Sequence, residues 1–156
     1  MTAPASTHPS EDSLDPILDF MRLLWRIEHS LQATSKGMER RLGITGPQRL
    51  VLKIVSQFPG LSAGDLARIV HLHPSTITGI VQRLVEKGLL LRERDRSDTR
   101  RVQLRPRPQA KQFTRLTAGT VEAAVGQALG RQPPVKMRHA RQVLQAIASA
   151  LDAGGR

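Results

Sequence analysis

The sequence predicts a mainly α protein with one small β-hairpin, on three observations. Aromatic residues make up only 3% of the 156 residues, so a core must rest on Leu, Ile, Val and Ala. Those side chains recur at three- and four-residue spacing along most of the chain, as in helices buried on one face. Only residues 89–94 and 101–104 read as strands, and the turn-rich run Asp95-Arg96-Ser97-Asp98-Thr99 joins them.

Each element follows from local chemistry. Residues 1–13 are polar, rich in Ser, Thr and Pro and without periodicity, so a disordered tail is expected. Asp15-Pro16 supplies an N-cap and a first-position proline. Ile17, Phe20, Met21, Leu24, Ile27 and Leu31 then mark a buried stripe, with the helix ending near Lys36-Gly37 or running on to about Arg41. Gly43 to Pro47 is a breaker cluster. A second helix spans residues 47–57 with Leu50, Val51, Ile54 and Val55 inward. Ser62-Ala63-Gly64-Asp65 approximates a capping box for a short helix over 63–70 that buries Leu66, Ile69 and Val70. After His71-Leu72-His73, Pro74 opens a helix to Glu86 that buries Ile77, Ile80, Val81, Leu84 and Val85, and Gly88 closes it. Pro106 and Pro108 stop the second strand. One helix is expected over 110–130, with Phe113, Leu116, Val121, Val125 and Leu129 as core and Gly119 and Gly126 as weak points. A last helix over 135–153 buries Val143, Leu144, Ile147 and Leu151.

Charge narrows the function. The formal net charge is +11, which seeks a polyanion, either nucleic acid or an anionic membrane. The excess is clustered: residues 92–115 hold nine cations (Arg92, Arg94, Arg96, Arg100, Arg101, Arg105, Arg107, Lys111 and Arg115) against Glu93, Asp95 and Asp98. Clustering marks a surface rather than compositional drift. There is no cysteine, which excludes disulfides, thiolate metal sites and thiol redox sensing. No run of about 18 apolar residues could span a bilayer. The first thirteen residues lack the basic and apolar regions of a signal peptide, so a cytoplasmic location is the default expectation.

The order helix, turn, helix, basic hairpin is that of a winged helix-turn-helix, spanning residues 61–104. On the helix from Pro74, the face away from the apolar stripe carries Ser75, Thr76, Thr78, Gly79, Gln82 and Arg83. Short hydroxyls, an amide and one Arg can hydrogen-bond base edges and phosphates. No acidic residue occurs between Pro74 and Leu84. Arg96, Arg100 and Arg101 sit at the hairpin tip, where a thin basic ribbon can follow the backbone towards the minor groove. Asp98, two residues before Arg100, is expected to form an ion pair with it that shapes the wing.

These residues also resemble the MarR (multiple antibiotic resistance regulator) family. The resemblance lies in Leu61-Ser62, Asp65-Leu66-Ala67, Pro74-Ser75-Thr76-Ile77-Thr78, Arg83-Leu84, Lys87-Gly88-Leu89 and Arg92. It continues in Asp95, Asp98-Thr99-Arg100-Arg101 and, upstream, Gly43-Ile44-Thr45 with Gln48. It is strong over residues 42–104 and rests on pattern alone in the flanking helices. It implies a homodimer that reads a palindromic operator in duplex DNA, usually as a repressor, and release by a small aromatic effector. It further implies a winged DNA-binding domain over 42–108, with dimerisation helices in 14–41 and 109–156. Met21, Trp25 and His29 lie at helical spacing and are the candidate effector pocket, against ordinary core or interface packing. Two departures stand out. Pro106-Arg107-Pro108 stands where the family's strand runs into the cap of the next helix, so a short wing is expected. Gly79 stands where many members carry a side chain.

Ser75 and Thr76 could be helix caps, and Thr78, Gln82 and Arg83 an ordinary solvated face. His71 and His73 lack evident partner ligands, so no metal or other cofactor is expected. No phosphate loop, nucleophile elbow or carboxylate pair suggests an enzyme. The rival functions are a nonspecific architectural nucleic-acid-binding protein using the same basic surface, and a winged helix that binds only protein.

Overall fold

The computed structural model of the chain describes residues 14–95, 98, 100–115 and 118–154. The proposed tail over residues 1–13, and Arg96 at the hairpin tip, lie outside the described residues. The element order is α1 (Pro16–Leu42), α2 (Gly46–Gln57), α3 (Ala63–Val70), α4 (Pro74–Glu86), β1 (Leu90–Arg94), β2 (Val102–Pro106), α5 (Ala110–Arg115), α6 (Val121–Leu129) and α7 (Pro134–Gly154). Two compact units divide between Leu116 and Thr117. None of the described helices is long and apolar enough to cross a membrane.

In the first unit, Asp15 caps α1 by accepting the N–H groups of Ile17 (2.9 Å) and Leu18 (3.2 Å). The helix does not stop at Lys36-Gly37. Met38 is fully buried one turn from the end, and Gly43, at φ 72°, terminates the helix in the left-handed region. The N-terminal half behaves differently from the expected buried stripe. Ile17, Phe20, Met21, Ile27 and Leu31 are all exposed in the single chain, Ile17 at 73%.

The corner into α2 is fixed twice. Ser35 Oγ accepts the Gly46 N–H at 2.8 Å, and Thr45 forms a capping box with Gln48. Within α2, Leu52 is buried and Leu50 is 52% exposed, the reverse of the expected placement of Leu50. The helical period explains it. Gln48, Val51, Leu52 and Val55 share a face, and Leu50 lies two residues from both Gln48 and Leu52 on the other side. Ile69 on α3 is likewise half exposed, and Leu66 and Ala67 take the core positions.

The core joins Ile44, Val51, Leu52 and Val55 to Leu66 of α3, to Ile77, Val81 and Leu84 of α4, and to Leu89, Leu90, Leu104 and Ala110. At the end of α4 the N–H of Gly88 bonds Val85 O and that of Leu89 bonds Leu84 O, both at 2.9 Å. This pair is a Schellman stop, and it needs the left-handed φ of 68° at Gly88. It turns the chain directly into β1.

The hairpin pairs Leu90 with Pro106 and Arg94 with Val102, antiparallel. The return strand therefore runs two residues past Leu104, further than expected, and the wing is not short. Leu104 turns its N–H and C=O away from β1, to Leu61 O and Gly60 N, each at 2.9 Å. By strand alternation the nitrogen of Pro106 also faces away from β1, so the ladder loses no donor there. Residues 60–61 thus lie as a short third chain segment beside β2.

The single helix expected over 110–130 is two. α5 ends at Arg115, Gly119 adopts φ 66°, and Thr120 caps α6 by accepting the Ala123 N–H at 3.3 Å. A left-handed glycine followed by a capping threonine starts a new helix. In the second unit neither α6 nor α7 has a buried residue, and Val125, Leu129, Val143, Leu144 and Leu151, expected as core, are exposed.

Asp65 ties α3 to the wing. Its Oδ2 accepts the Ser62 N–H at 3.0 Å and the Ser62 hydroxyl at 2.7 Å. Its Oδ1 pairs with Arg68, and the Arg101 guanidinium of the hairpin lies 3.8 Å from Oδ2. The Ser62 backbone bond, then the Ser62 hydroxyl, hold the carboxyl below its ordinary value of 3.8, at about 2. A depressed carboxylate stabilises the fold above its unfolded value and loses that contribution as pH falls through the folded one. The expected outcome is that urea midpoints of the wild type fall between about pH 4 and about pH 2 more steeply than those of Asp65→Asn. At pH 7 the variant should be less stable by roughly 1 kcal/mol, the usual worth of a cap. Parallel pH profiles for the two proteins would contradict this account.

Candidate DNA-reading surface

α4 is polarised by its own burial. Ile77, Ile80, Val81 and Leu84 are at most 9% exposed, and they fix which way the helix faces. The opposite side presents Ser75, Thr76, Thr78, Gly79, Gln82, Arg83 and Glu86, all exposed. A Cβ built on Gly79 would meet nothing within 4 Å. No internal contact requires a glycine there, although glycine inside a helix costs about 0.5–1 kcal/mol relative to alanine.

Several of these side chains have local partners. His73, not Ser75, is the N-cap of α4. Its Nδ1 accepts the Ser75 N–H at 3.3 Å and lies 2.7 Å from Ser75 Oγ. Thr78 Oγ1 donates to the Pro74 carbonyl at 2.9 Å, which leaves its oxygen free to accept. Gln82 Nε2 donates to Glu86 Oε1 at 2.9 Å, so the acid just beyond the apolar stripe steers the amide. Arg83 and Thr76 extend to solvent without a side-chain partner among the described residues. Lys87 Nζ bonds the carbonyl of Gly43 and so links the end of α4 to the corner between α1 and α2.

The wing is shaped through its backbone. The expected ion pair between Asp98 and Arg100 is absent. Asp98 Oδ1 instead accepts the Arg100 N–H at 3.0 Å, and Asp98 O accepts the Arg101 N–H at 2.9 Å. A short carboxylate reaches a backbone N–H two residues on more readily than a long, solvated guanidinium tip. The Arg100 side chain is left exposed. Arg101 is also exposed (61%) despite its approach to Asp65. Gln103 donates to Asp95, and Arg105 pairs with Glu93 at 2.8 Å.

Met21, Trp25 and His29 lie four residues apart along α1, and all three are exposed in the single chain. His71 is exposed at the C-cap of α3 in the left-handed region (φ 52°), and His73 is engaged with Ser75. The role of His73 was missed, although a polar residue immediately before a first-position proline is a cap signal. The contact between Asp65 and Arg101 joins residues with no local signal in the sequence.

The chain matches known proteins over this region. Residues 44–102 match the model of the MarR family. An HTH-type transcriptional repressor of Mycobacterium tuberculosis is 25% identical over 127 residues, covering 81% of this chain and 91% of the relative. A repressor of Mycobacterium bovis matches to the same extent. Among solved structures, the S. aureus MepR–DNA complex superposes with a TM-score of 0.70 at 19% identity, covering 85% of this chain and 97% of that one. The PcaV regulator of Streptomyces coelicolor, solved with its natural ligand, gives 0.71 at 25% identity, covering 88% and 97%. With its helix order, its hairpin and its matched segment in agreement, the chain carries a MarR-family winged helix-turn-helix domain over residues 44–102.

Proposed function

We propose that this chain is a homodimeric transcriptional repressor, a regulator and not an enzyme, that reads a palindromic operator in duplex DNA. The observation that carries this is the exposed face of α4, with short polar groups, one Arg and a bare Gly79 in its middle. In this reading Ser75, Thr76, Thr78, Gln82 and Arg83 meet bases and nearby phosphates in the major groove, and Arg96, Arg100 and Arg101 meet the backbone. Asp98 shapes the wing that carries them. The reading head spans residues 42–108, and residues 14–41 and 109–156 supply the dimer helices. The exposed apolar residues of α1, α6 and α7 support a second copy as their cover. The repressor names of the mycobacterial relatives and the DNA-bound MepR structure support the same reading. Release by a small-molecule effector belongs to it.

Selection of bound DNA from a random pool should return a palindrome with half-sites about one helical turn apart. Uniform affinity across sequences would favour the nonspecific coating protein instead. Arg83→Ala should weaken the selected site by about 10- to 100-fold and relax one position of it. Arg100→Ala and Arg101→Ala should weaken all sequences alike and lower the salt slope by about 0.9 for each lost phosphate contact. Gly79→Ala separates stability from recognition. It should raise helix stability by about 0.5–1 kcal/mol while weakening operator binding, as read by thermal melts and fluorescence anisotropy. Unchanged affinity would show that the helix backbone does not approach DNA at that point. In sedimentation the chain should be a dimer, and Phe20→Asp with Ile27→Asp should yield a monomer that no longer binds the full palindrome.

A further inference from the structure

Thr78, Gln82 and Glu86 follow one another at four-residue spacing along the exposed face of α4. Two of them spend a proton within the helix. Thr78 Oγ1 donates to Pro74 O at 2.9 Å, and Gln82 Nε2 donates to Glu86 Oε1 at 2.9 Å. Glu86 makes no ion pair among the described residues. Its nearest neighbour in sequence with a cation, Lys87, is turned to the carbonyl of Gly43. An unneutralised acid on a face that meets phosphates opposes binding, so its presence there calls for a role. Its bond to Gln82 supplies one. A carboxylate only accepts, so it holds the amide with nitrogen towards Glu86 and oxygen away from it.

We infer that Glu86 is a positioning residue that sets Gln82 to read adenine in the operator, an inference that rests on the regulator reading. A glutamine amide has two N–H donors and one carbonyl acceptor. With one N–H given to Glu86, Gln82 presents one donor and one acceptor to the groove. Adenine offers their complement on its major-groove edge, N7 to accept and the N6 amine to donate. Guanine offers two acceptors, N7 and O6, and leaves the Gln82 oxygen facing O6 without a proton between them. Thr78 cannot repair that mismatch, because its only proton is already given to Pro74 O. Cytosine supplies a donor alone, and thymine supplies an acceptor and a methyl group. In a groove from which water is displaced, a polar group left without a partner costs more than it does in solvent. Without Glu86 the amide can turn over and offer both N–H groups to guanine, so the acid trades general affinity for discrimination.

The test uses the full chain and the operator obtained by selection, with affinities read by fluorescence anisotropy. Gln82→Ala should erase the preference at one position of each half-site, and the wild type should require adenine there. At that position 2-aminopurine (which lacks the N6 amine) and 7-deazaadenine (which lacks N7) should each weaken wild-type binding by about three- to tenfold. These modified duplexes need no variant to fold. Glu86→Gln removes a negative charge and permits either orientation of the Gln82 amide. It should tighten binding to every sequence and lower the ratio of adenine to guanine affinity by about threefold or more. The inference is overturned by another base at the Gln82-dependent position or by indifference to both modified bases. It is equally overturned if Glu86→Gln tightens all sequences with the ratio unchanged, since Glu86 then acts as a charge alone. Absence of any sequence preference in the wild type would overturn the repressor reading together with this inference, whereas a palindrome without the adenine overturns the inference alone.

Discussion

Burial of one side of α4 is the constraint on which the reading surface depends. Ile77, Ile80, Val81 and Leu84 are nearly or fully removed from water against a core drawn from α2, α3 and the hairpin. At about 1.5–3 kcal/mol for each such side chain, the four contribute on the order of 6–12 kcal/mol, an upper estimate because unfolded chains already bury part of that surface. That is comparable with the whole net stability of a domain. Rotating the helix by even one residue would expose part of this face and bury Gln82 or Arg83 unpaired. The polar face is therefore aimed by packing, and its own side chains are free to vary without changing the direction in which they point.

The wing is held on a looser scale. Backbone bonds from Leu104 to Gly60 and Leu61 fix the base of the hairpin to the core. Towards the tip, the contact between Asp65 and Arg101 spans 3.8 Å with Arg101 mostly exposed. An exposed pair of that kind contributes between nothing and about 1 kcal/mol. In the proposed reading a DNA phosphate competes for Arg101 at little cost, while Asp65 keeps its bonds to Ser62 and Arg68 and the N-terminus of α3 stays capped. In that proposed reading, a fixed base and exchangeable contacts at Arg101 suit a ribbon that follows a backbone of variable groove width.

Local signals in the sequence were enough for most of the fold. Asp15-Pro16, Ser62 with Asp65, Pro74 and Gly88 each act within a few residues, and the helix limits they imply agree with α1, α3 and α4 at those ends. Where the expectation failed, the deciding contact was distant or two local signals competed. Leu50 and Leu52 are equally apolar, and only the position of α2 against its neighbours decides between them. Pro106 reads as a strand stop because proline lacks a donor, but the bonds of Leu104 show that its nitrogen faces away from β1. The break at Gly119-Thr120 was visible as weakness but not as a stop, since Phe113 and Val121 to Leu129 kept an apolar rhythm across it. Within the site, residue types and the exposed face were legible. The partnerships of His73, Gln82 and Asp98 were not, because each side chain had several bonding partners within reach.

The same logic bears on the helices that failed to bury their apolar residues. α7 is 21 residues long with none buried, and α6 has none buried either. An isolated helix of that length is marginal in water unless an amphipathic face is packed. The N-terminal half of α1 repeats the pattern, with Trp25 62% exposed beside Phe20 and Ile27. Periodic apolar spacing in these segments predicted burial, and the single chain leaves the faces exposed. A core is completed within one chain where loops are short, as from α2 to β2. Among the described residues, the N-terminal half of α1 and helices α6 and α7 keep exposed apolar faces, and the proposed second copy would supply identical faces without any further sequence requirement.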